Sequence, residues 1–323
     1  MINRIGVLTS GGDAPGMNSC IRAVVRTAIC RGCKVIGIKR GYAGLLDQEL
    51  EEMNLRSVSN IIQRGGTILK TSRCKEMHAR EGRAKAGRIL RAHDIDGLIV
   101  IGGDGSFRGA SALSEEEQIA VIGIPGTIDN DLYGTDFTIG YDTAVGTALD
   151  LIDKIRDTAA SHDRLFFIEV MGHHSGFIAL NVGVAGGAEE IILPTVDFQI
   201  KDLCDHILQF LQKGKTSNII VVAEGDKPGH SFEIAQQVKE RIGIDYRVCV
   251  LGHIQRGGAP SANDRVLATK LGWAAVNALL ANKRGVMVGE KNNEIHFTDL
   301  KDTWQKKKPI NVDLLEIVKI MAL

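Results

Sequence analysis

The stretch RIGVLTSGGDAPGMNS, residues 4–19, decides the fold, because an apolar run, a glycine-rich turn and an apolar helical face follow one another directly. Residues 4–10 are apolar enough for a strand buried on both faces, as in a parallel sheet. From Met17 to Ile29, apolar residues recur at the i, i+3, i+4, i+7 spacing of one helix face. Strand, turn and helix in this order predict the first half of a βαβ unit.

The same alternation continues almost to the end of the chain. Further strand-like runs lie at 97–103, 121–127, 165–172, 190–194, 218–225 and 247–253. Helical segments are predicted near 80–92, 106–113, 141–158, 201–212, 231–241 and 262–281. VMVGEKNNEIHFTDL (286–300) is typical of a hairpin with a polar turn. The pattern predicts an α/β fold with two doubly wound, Rossmann-like lobes and mostly parallel sheets.

The composition limits the classes of function. The chain has 323 residues, 44% of them hydrophobic, which suffices for two lobes rather than one. Its 39 basic and 39 acidic side chains balance, which argues against a nucleic-acid coat or a membrane-surface protein. The chain contains no uninterrupted run of about 18 apolar residues, so no segment is predicted to span a bilayer. No signal-peptide pattern is present, and the cysteines show no disulfide framework, so we expect a cytoplasmic protein.

The first glycine-rich loop, TSGGDAPGMNS (9–19), has the features of an anion site. Two glycines follow the strand, and Pro15 and Gly16 precede a helix. Backbone N–H groups and the positive end of the helix dipole would therefore meet at the helix N-terminus, where they favour an anion. The loop lacks the GK[ST] of a Walker motif. Such turns also occur in α/β folds for packing alone, so both interpretations stay open.

The second loop, IGGDGSFRGA (101–110), contains an acid between glycines. A carboxylate in a phosphate loop would repel the ligand unless a divalent cation lies between them, and Mg²⁺ is the expected ion at Asp104. The alternative is that Asp104 caps the next helix. Similar runs occur in lipid kinases and NAD kinases, so the pattern indicates phosphoryl transfer without naming the acceptor.

The third loop, IPGTIDNDLYGTD (124–136), carries Asp129 and Asp131. In an extended segment this spacing points both carboxylates to one side. One acid could then take a hydroxyl proton while the other holds a sugar hydroxyl or a metal-bound water. Taken alone, Asp-Asn-Asp is more often a turn.

Cationic residues near strand ends in the second half could clamp a fixed phosphate: Arg164, Arg247, His253 and Arg256. Isolated arginines are more often exposed to solvent. His173 and His174 could suggest a metal pair, but neighbours in extended structure point opposite ways. Packing or substrate contact is therefore favoured for this pair.

Seven ordered segments make the sequence resemble the bacterial ATP-dependent 6-phosphofructokinase family (phosphofructokinase A): GVLTSGGDAPGMN, QRGGTILKTSR, VIGGDGS, GIPGTIDND, IDKIRDTAASH, GVAGGAEE and VLGHIQRGG. The resemblance covers nearly the whole chain. It implies transfer of the γ-phosphoryl of ATP to the 1-hydroxyl of fructose 6-phosphate, the committed step of glycolysis. It also implies an ATP-binding lobe of residues 1–139 and 253–304, and a sugar-phosphate lobe of residues 140–252 and 305–323.

The resemblance assigns roles to particular positions. It implies that Asp129 is the proton acceptor, with Thr127 and Arg73 as further catalytic residues. The implied ATP site consists of Gly12, Arg73, Cys74, Gly103, Asp104, Gly105 and Ser106, with Asp104 reaching Mg²⁺. The implied sugar site consists of Thr127, Ile128, Asp129, Asp131, Arg164, Met171, Gly172, His173, Glu224, Arg247, His253, Ile254, Gln255 and Arg256. Arg164 and Arg247 would come from a neighbouring subunit, which implies a homotetramer.

Two glycines favour ATP as the phosphoryl donor. Relatives that use pyrophosphate typically carry Asp where this chain has Gly105 and Lys where it has Gly126. We interpret both glycines as leaving space for the α-phosphate of ATP. A departure lies at His173, where the bacterial family commonly has arginine, because histidine is only partly charged at neutral pH.

A second anion site is expected, since Arg22 and Arg26 lie at i,i+4 on the first helix. A solvated helix face is the alternative. The resemblance places an effector pocket for ADP or phosphoenolpyruvate at Arg22, Ala23, Val24, Val25, Arg26, Arg156, Gly187, Glu189, Lys213, Lys215, Thr216 and Ser217. Leu55 replaces an arginine of that pocket, and Thr216 and Ser217 also depart from it. We therefore expect a weaker or altered effector response.

Three alternatives remain at this point. A pyrophosphate-dependent phosphofructokinase would differ in its donor. A non-catalytic nucleotide sensor should have lost the base or the metal acid, yet Asp129 and Asp104 remain. A dinucleotide-binding dehydrogenase should carry G-x-G-x-x-G after the first strand, where GGDAPG stands instead.

Overall fold

The computed structural model describes residues 2–160, 165–213, 218–225 and 228–322. They form two compact units. Unit 1 comprises Met1–Ile128, Leu132–Thr143 and Arg256–Lys308, and unit 2 comprises Asp129–Asp131, Ala144–Gln255 and Pro309–Leu323. The chain therefore passes between the units several times, and one of the passages is the segment that carries Asp129.

Strands and helices alternate along the chain. The strands are β1 (Arg4–Thr9), β2 (Lys34–Ile38), β3 (Leu50–Met53), β4 (Gly97–Gly102), β5 (Ala120–Pro125), β6 (Leu165–Val170), β7 (Glu190–Ile192), β8 (Asn218–Ala223), β9 (Tyr246–Val250), β10 (Val286–Lys291) and β11 (Glu294–Asp299). The helices are α1 (Met17–Cys30), α2 (Gly41–Leu46), α3 (Arg80–Ala92), α4 (Asp104–Glu117), α5 (Tyr141–Ala160), α6 (Phe177–Ala185), α7 (Ile200–Gln212), α8 (His230–Ile242), α9 (Ala262–Leu280), α10 (Asp302–Gln305) and α11 (Asp313–Met321).

Unit 1 is built on a seven-stranded sheet with the order β11-β10-β5-β4-β1-β2-β3. The interior strands pair in parallel, and β3 and β11 are antiparallel edge strands. The register sets Thr9 beside Ile101 and Gly102 beside Pro125, so β1, β4 and β5 end at one edge of the sheet. An open parallel sheet binds its ligands at this edge, and the three glycine-rich loops start there.

Unit 2 has a smaller sheet, with the order β7-β8-β6-β9, in which every pair is parallel. Val170 pairs with Ala223, and Glu169 pairs with Val250, so the segments after β6, β8 and β9 also leave from one edge. Apolar side chains such as Phe167, fully buried, form the core beneath. Strand β9 lies at the border of the sheet.

The predicted α/β class and mostly parallel sheets are confirmed, and so is the hairpin, β10–β11. Its turn residues Asn292 and Asn293 both have a left-handed backbone, as a tight hairpin turn requires. The sequence analysis missed β2, β3, α2, α6 and the two helices near the C-terminus. Within the described residues, no helix is long and apolar enough to cross a membrane.

Candidate active site

The loop after β1 is closed by an arginine from a distant part of the chain. Arg256 donates from Nη1 to the carbonyl oxygen of Asp13 at 3.0 Å. A Cβ added to Gly12 would lie 2.5 Å from the same nitrogen, so a side chain at this position would displace the end of Arg256. The structure therefore places Arg256, which was predicted at the sugar phosphate, against the loop that was predicted to bind ATP.

The loop after β4 presents an exposed acid at the start of a helix. Gly103 is the N-cap residue of α4 and Asp104 the first helical residue, without a side-chain cap. The alternative that Asp104 caps α4 is thus wrong. Its side chain is 55% exposed, with the Arg108 guanidinium 3.5 Å away. A Cβ added to Gly105 would meet no atom within 4 Å, so open space lies beside this carboxylate.

Gly126 differs from Gly105. A Cβ added there would lie 2.8 Å from Cγ2 of Ile101 and 3.2 Å from Cε of Met17. The interpretation that Gly126 leaves open space is therefore wrong, because this glycine permits close packing of the loop on β4. Of the two glycines, only Gly105 has open space beside it that could admit the α-phosphate of ATP.

The remaining residues of the predicted ATP site in unit 1 lie near these loops. Thr71 donates from its hydroxyl to the carbonyl oxygen of Gly11 at 2.8 Å, which ties the segment before Arg73 to the first loop. Arg73 is exposed, whereas Cys74 is half-buried against the apolar core. Ser106 is buried, and its hydroxyl would lie 3.3 Å from a Cβ added to Gly11.

Thr127 and Ile128 begin the segment that carries the predicted base. A Cβ added to Gly103 would lie 3.7 Å from Cβ of Thr127, so Thr127 neighbours the loop of Asp104. The hydroxyl of Thr138 donates to the carbonyl oxygen of Thr127 at 2.6 Å. Ile128 is fully buried, main chain included, and presents no exposed atom.

The two predicted acids do not lie on an extended segment. Asn130, between them, has a left-handed backbone with φ 53° and is buried. The expectation of an extended segment, on which the argument from strand alternation rested, is therefore wrong. Asp129 is half-buried, whereas Asp131 is exposed, so the two acids have different surroundings.

In unit 2, the turn after β6 brings several predicted sugar-binding residues together. The amide of Met171 donates to Oε1 of Gln255 at 2.8 Å, and the amide of His173 donates to Oε1 of Glu224 at 3.2 Å. Burial raises the pKa of Glu224, and the negative charges of Asp129 and Glu169 raise it further. The amide of His173 opposes this shift by stabilising the carboxylate.

The histidine pair is arranged differently from the prediction. His173 has a left-handed backbone with φ 49°, and its ring meets the ring of His174 edge to face at 3.9 Å between centroids. The expectation that the two side chains point opposite ways is wrong, because the segment turns instead of extending.

Of the cationic residues predicted to clamp the phosphate, Arg247 and His253 are exposed and Arg256 is half-buried. Arg247 lies on β9, and its Nη1 donates to the carbonyl oxygen of Tyr246. His253 and Ile254 follow in a short 3₁₀ turn and are exposed, whereas Gln255 is completely buried. Arg164 lies outside the described residues.

The family model for phosphofructokinase matches residues 4–279. The chain belongs to the phosphofructokinase family. It is 56% identical over 322 residues to ATP-dependent 6-phosphofructokinase 1 of Thermus thermophilus, and the match covers 100% of both chains. A solved phosphofructokinase from Saccharomyces cerevisiae has a TM-score of 0.87 at 36% identity, and the match covers 98% of this chain and 46% of the longer yeast chain.

A pyrophosphate-dependent phosphofructokinase from Marinobacter aquaeolei is more distant in sequence. It has a TM-score of 0.83 at 26% identity, and the match covers 97% of this chain and 86% of that chain. A phosphofructokinase named for pyrophosphate thus also has this fold, so the fold alone does not identify the donor.

The effector residues predicted for a phosphofructokinase fall in both units. In unit 2, Arg156 donates from Nη2 to the carbonyl oxygens of Gly186 at 2.5 Å and Gly187 at 2.7 Å. Its Nη1 lies 3.9 Å from Oε1 of Glu189. Glu189 is buried, and its Oε2 accepts a hydrogen bond from the amide of Ile219. Arg156, Gly187 and Glu189 are therefore brought together.

The other predicted effector residues are less uniform. In unit 1, Arg26 is exposed and Arg22 is half-buried, whereas Ala23, Val24 and Val25 are buried in the core. Lys213 is exposed at the end of α7. Lys215, Thr216 and Ser217 lie outside the described residues.

Sequence reasoning missed Ser175, a polar residue beside the segment that carries Asp129. The hydroxyl of Ser175 lies 2.9 Å from the carbonyl oxygen of Asp129. A serine in a short turn carries no sequence signal of such a contact, since the partner is 46 residues away along the chain.

Proposed function

We propose that this chain is an ATP-dependent 6-phosphofructokinase, which transfers the γ-phosphoryl of ATP to the 1-hydroxyl of fructose 6-phosphate. The products would be ADP and fructose 1,6-bisphosphate, in the committed step of glycolysis. The observation that carries the proposal is the exposed carboxylate of Asp104 at the start of α4, with open space at Gly105 beside it. Identity of 56% to a relative named for the same reaction supports it.

The donor set at Asp104 fits a magnesium ion. A single exposed carboxylate at a helix N-terminus matches the way Mg²⁺ binds, with one or two protein carboxylates plus phosphate oxygens and waters. When bound there, Mg²⁺ supplies positive charge that offsets the charge of the transferred phosphoryl group. Asp104 is the residue that would hold it.

The loops of unit 1 would hold the nucleotide. The N-termini of α1 and α4 both start at the carboxyl edge of the sheet, where their amides and dipoles favour phosphates. Gly12, Gly103, Gly105 and Ser106 would line the site, with Arg73 and Cys74 at its margin. Arg256, which contacts Asp13, would add positive charge. Phosphoryl transfer depends mainly on such positioning and charge neutralisation.

Asp129 would accept the proton of the sugar hydroxyl. It is half-buried and lies near enough to Glu224 to raise that group's pKa. A positioned base contributes about 10²–10⁴-fold to a rate. Thr127, next to the loop of Asp104, would contact the transferred group, and Asp131 would hold the sugar.

Unit 2 would bind fructose 6-phosphate. Glu224, His173 and the main chain of Met171 and Gly172 surround the turn after β6 and offer acceptors and donors to sugar hydroxyls. The exposed Arg247 and His253 would reach the 6-phosphate, together with Arg164. We further propose a homotetramer in which Arg164 and Arg247 serve a neighbouring subunit's site.

We also propose an effector site for ADP or phosphoenolpyruvate around Arg156, Gly187 and Glu189. The pair of Arg156 and Glu189 combines a cation for phosphate with an acid for a metal ion. Because Leu55 is an exposed apolar residue, we expect weak regulation. Rates with added ADP and with added phosphoenolpyruvate test this, and strongly sigmoidal inhibition by phosphoenolpyruvate would contradict it.

The decisive experiment is an assay of fructose 1,6-bisphosphate formation from fructose 6-phosphate and Mg²⁺, with ATP and then with pyrophosphate. We expect product with ATP and at least about a hundredfold less with pyrophosphate, because pyrophosphate lacks the α-phosphate and nucleoside that the open space at Gly105 would admit and that would add binding contacts. Omission of Mg²⁺ with a chelator should abolish the ATP reaction. Product with pyrophosphate alone would overturn the assignment of the donor.

A further inference from the structure

The turn after β6, residues 171–176, is held in one conformation. Gly172 and Gly176 have left-handed backbones with φ 138° and φ 73°, so the turn depends on their freedom. Its first amide is bound by the buried side chain of Gln255, and the amide of His173 by Glu224. A hydrogen bond between the amide of Ser175 and the carbonyl oxygen of Gly172 closes it.

Ser175 joins this turn to the segment of the proposed base. Its Oγ lies 2.9 Å from the carbonyl oxygen of Asp129 and 2.7 Å from the carbonyl oxygen of Gly172. A serine hydroxyl has one proton, which these two carbonyls share or exchange. The residue therefore connects the sugar-binding turn with the main chain of Asp129.

We propose that Ser175 is a positioning residue, which fixes the main chain of Asp129 so that its carboxylate meets the sugar hydroxyl. This rests on the proposed role of Asp129 as the base. The carbonyl belongs to the same residue as the carboxylate, and the next residue, Asn130, has a left-handed backbone. The carbonyl group and the side chain leave the same Cα, so a shift of the main chain at Asp129 would also move its carboxylate.

The expected effect is mainly on turnover. A displacement of a reacting group by about 1 Å can lower a rate about a hundredfold. Sugar binding depends on several other contacts, such as those of Glu224, and should change less. A residue that merely supports the fold would lower stability without separating kcat from KM.

The test compares Ser175→Ala with Ser175→Thr, which keeps the hydroxyl. Ser114→Ala is the matched control, because it deletes a hydroxyl bonded to a backbone carbonyl, that of Ile119 at 2.9 Å, near the opposite end of α4 from Asp104. We expect Ser175→Ala to lower kcat about 10- to 100-fold with KM for fructose 6-phosphate within about threefold. Ser175→Thr should recover most of the rate, and Ser114→Ala should leave it unchanged.

Hydrogen exchange of residues 128–132 gives a readout that needs no activity. Amide exchange there should be faster in Ser175→Ala by about threefold or more, and unchanged in Ser114→Ala. The proposal is overturned if Ser175→Ala keeps wild-type kcat, if Ser114→Ala loses as much, or if exchange of 128–132 stays the same. If the wild type does not phosphorylate fructose 6-phosphate, the proposed function fails, and the exchange data still decide whether Ser175 holds Asp129.

Discussion

Replacing Gly105 with aspartate places a second carboxylate next to Asp104, in space where an added Cβ meets no atom within 4 Å. The fold should tolerate the change, because this position is helical and glycine is about 1 kcal/mol less favourable than alanine in a helix. Gly105→Ala is the matched control, since it adds the same Cβ without a charge. The thermal midpoint should fall with neither variant.

The effect of Gly105→Asp should appear in the KM for ATP. Two unit charges about 6 Å apart interact by roughly 3 kcal/mol at an effective dielectric constant of 20. About half of this should remain at a site as exposed as Asp104, which is 55% exposed, because water and salt screen the charges. Since about 1.4 kcal/mol is a factor of ten, we expect KM for ATP to rise about tenfold.

Initial rates against ATP at saturating fructose 6-phosphate measure this. Raising the salt concentration should reduce the difference between Gly105→Asp and Gly105→Ala, because the repulsion is screened. Equal rises in KM for the two variants would show a steric cause, and an unchanged KM in Gly105→Asp would show that ATP does not approach Gly105. Either result refutes the argument.

Three further predictions concern single carboxylates. Asp129→Ser should lower kcat about 10²–10⁴-fold with a much smaller change in KM, and near-normal turnover in rate assays would exclude Asp129 as the base. Because the pKa of Glu224 is raised, this carboxylate takes up a proton at a higher pH than an ordinary glutamate does. As the solution is acidified, KM for fructose 6-phosphate should therefore begin to rise at that higher pH, and Glu224→Gln should remove this pH dependence of KM. Asp264 is buried and accepts from the amides of Gly140 and Thr143, so Asp264→Ala should destabilise unit 1 by about 2–5 kcal/mol by leaving buried donors unsatisfied. Burial raises the pKa of Asp264, so the folded wild type takes up a proton at a higher pH than the unfolded chain and gains stability as the pH falls through the raised pKa. The difference in thermal midpoint between the wild type and Asp264→Ala should therefore widen in acid.

The strands that carry the site could be predicted because they are continuous apolar runs in a doubly covered sheet. β4, for example, is buried at every residue. β2 and β3 were missed because they are short and form one edge of the sheet, where exposed residues such as Glu51 and Glu52 interrupt the run of apolar residues. α6 is apolar except for the exposed Asn181, and without a polar face it has no helical periodicity to detect.

At the candidate site, too, sequence patterns predicted the regular segments and failed in the turns. Asp104 was singled out from its neighbours in the sequence, and the structure places it exposed at the start of α4. The expectations that failed at His173 and Asp131 assumed a regular backbone through a turn, whereas the one at Gly126 failed because Ile101 and Met17 fill the space. Left-handed residues such as Asn130 break strand alternation, and their positions follow from tertiary contacts such as that of Ser175.

The place of Arg247 on β9 has a consequence for attempts to alter the substrate. A border strand exposes backbone groups that can pair with another chain, and a charged side chain is one way in which proteins prevent this. Val250, on the same strand, is 39% exposed. An apolar replacement at 247 would therefore raise the risk of aggregation as well as change the sugar phosphate that binds. Selection for a new substrate at this position has to be screened for solubility at the same time.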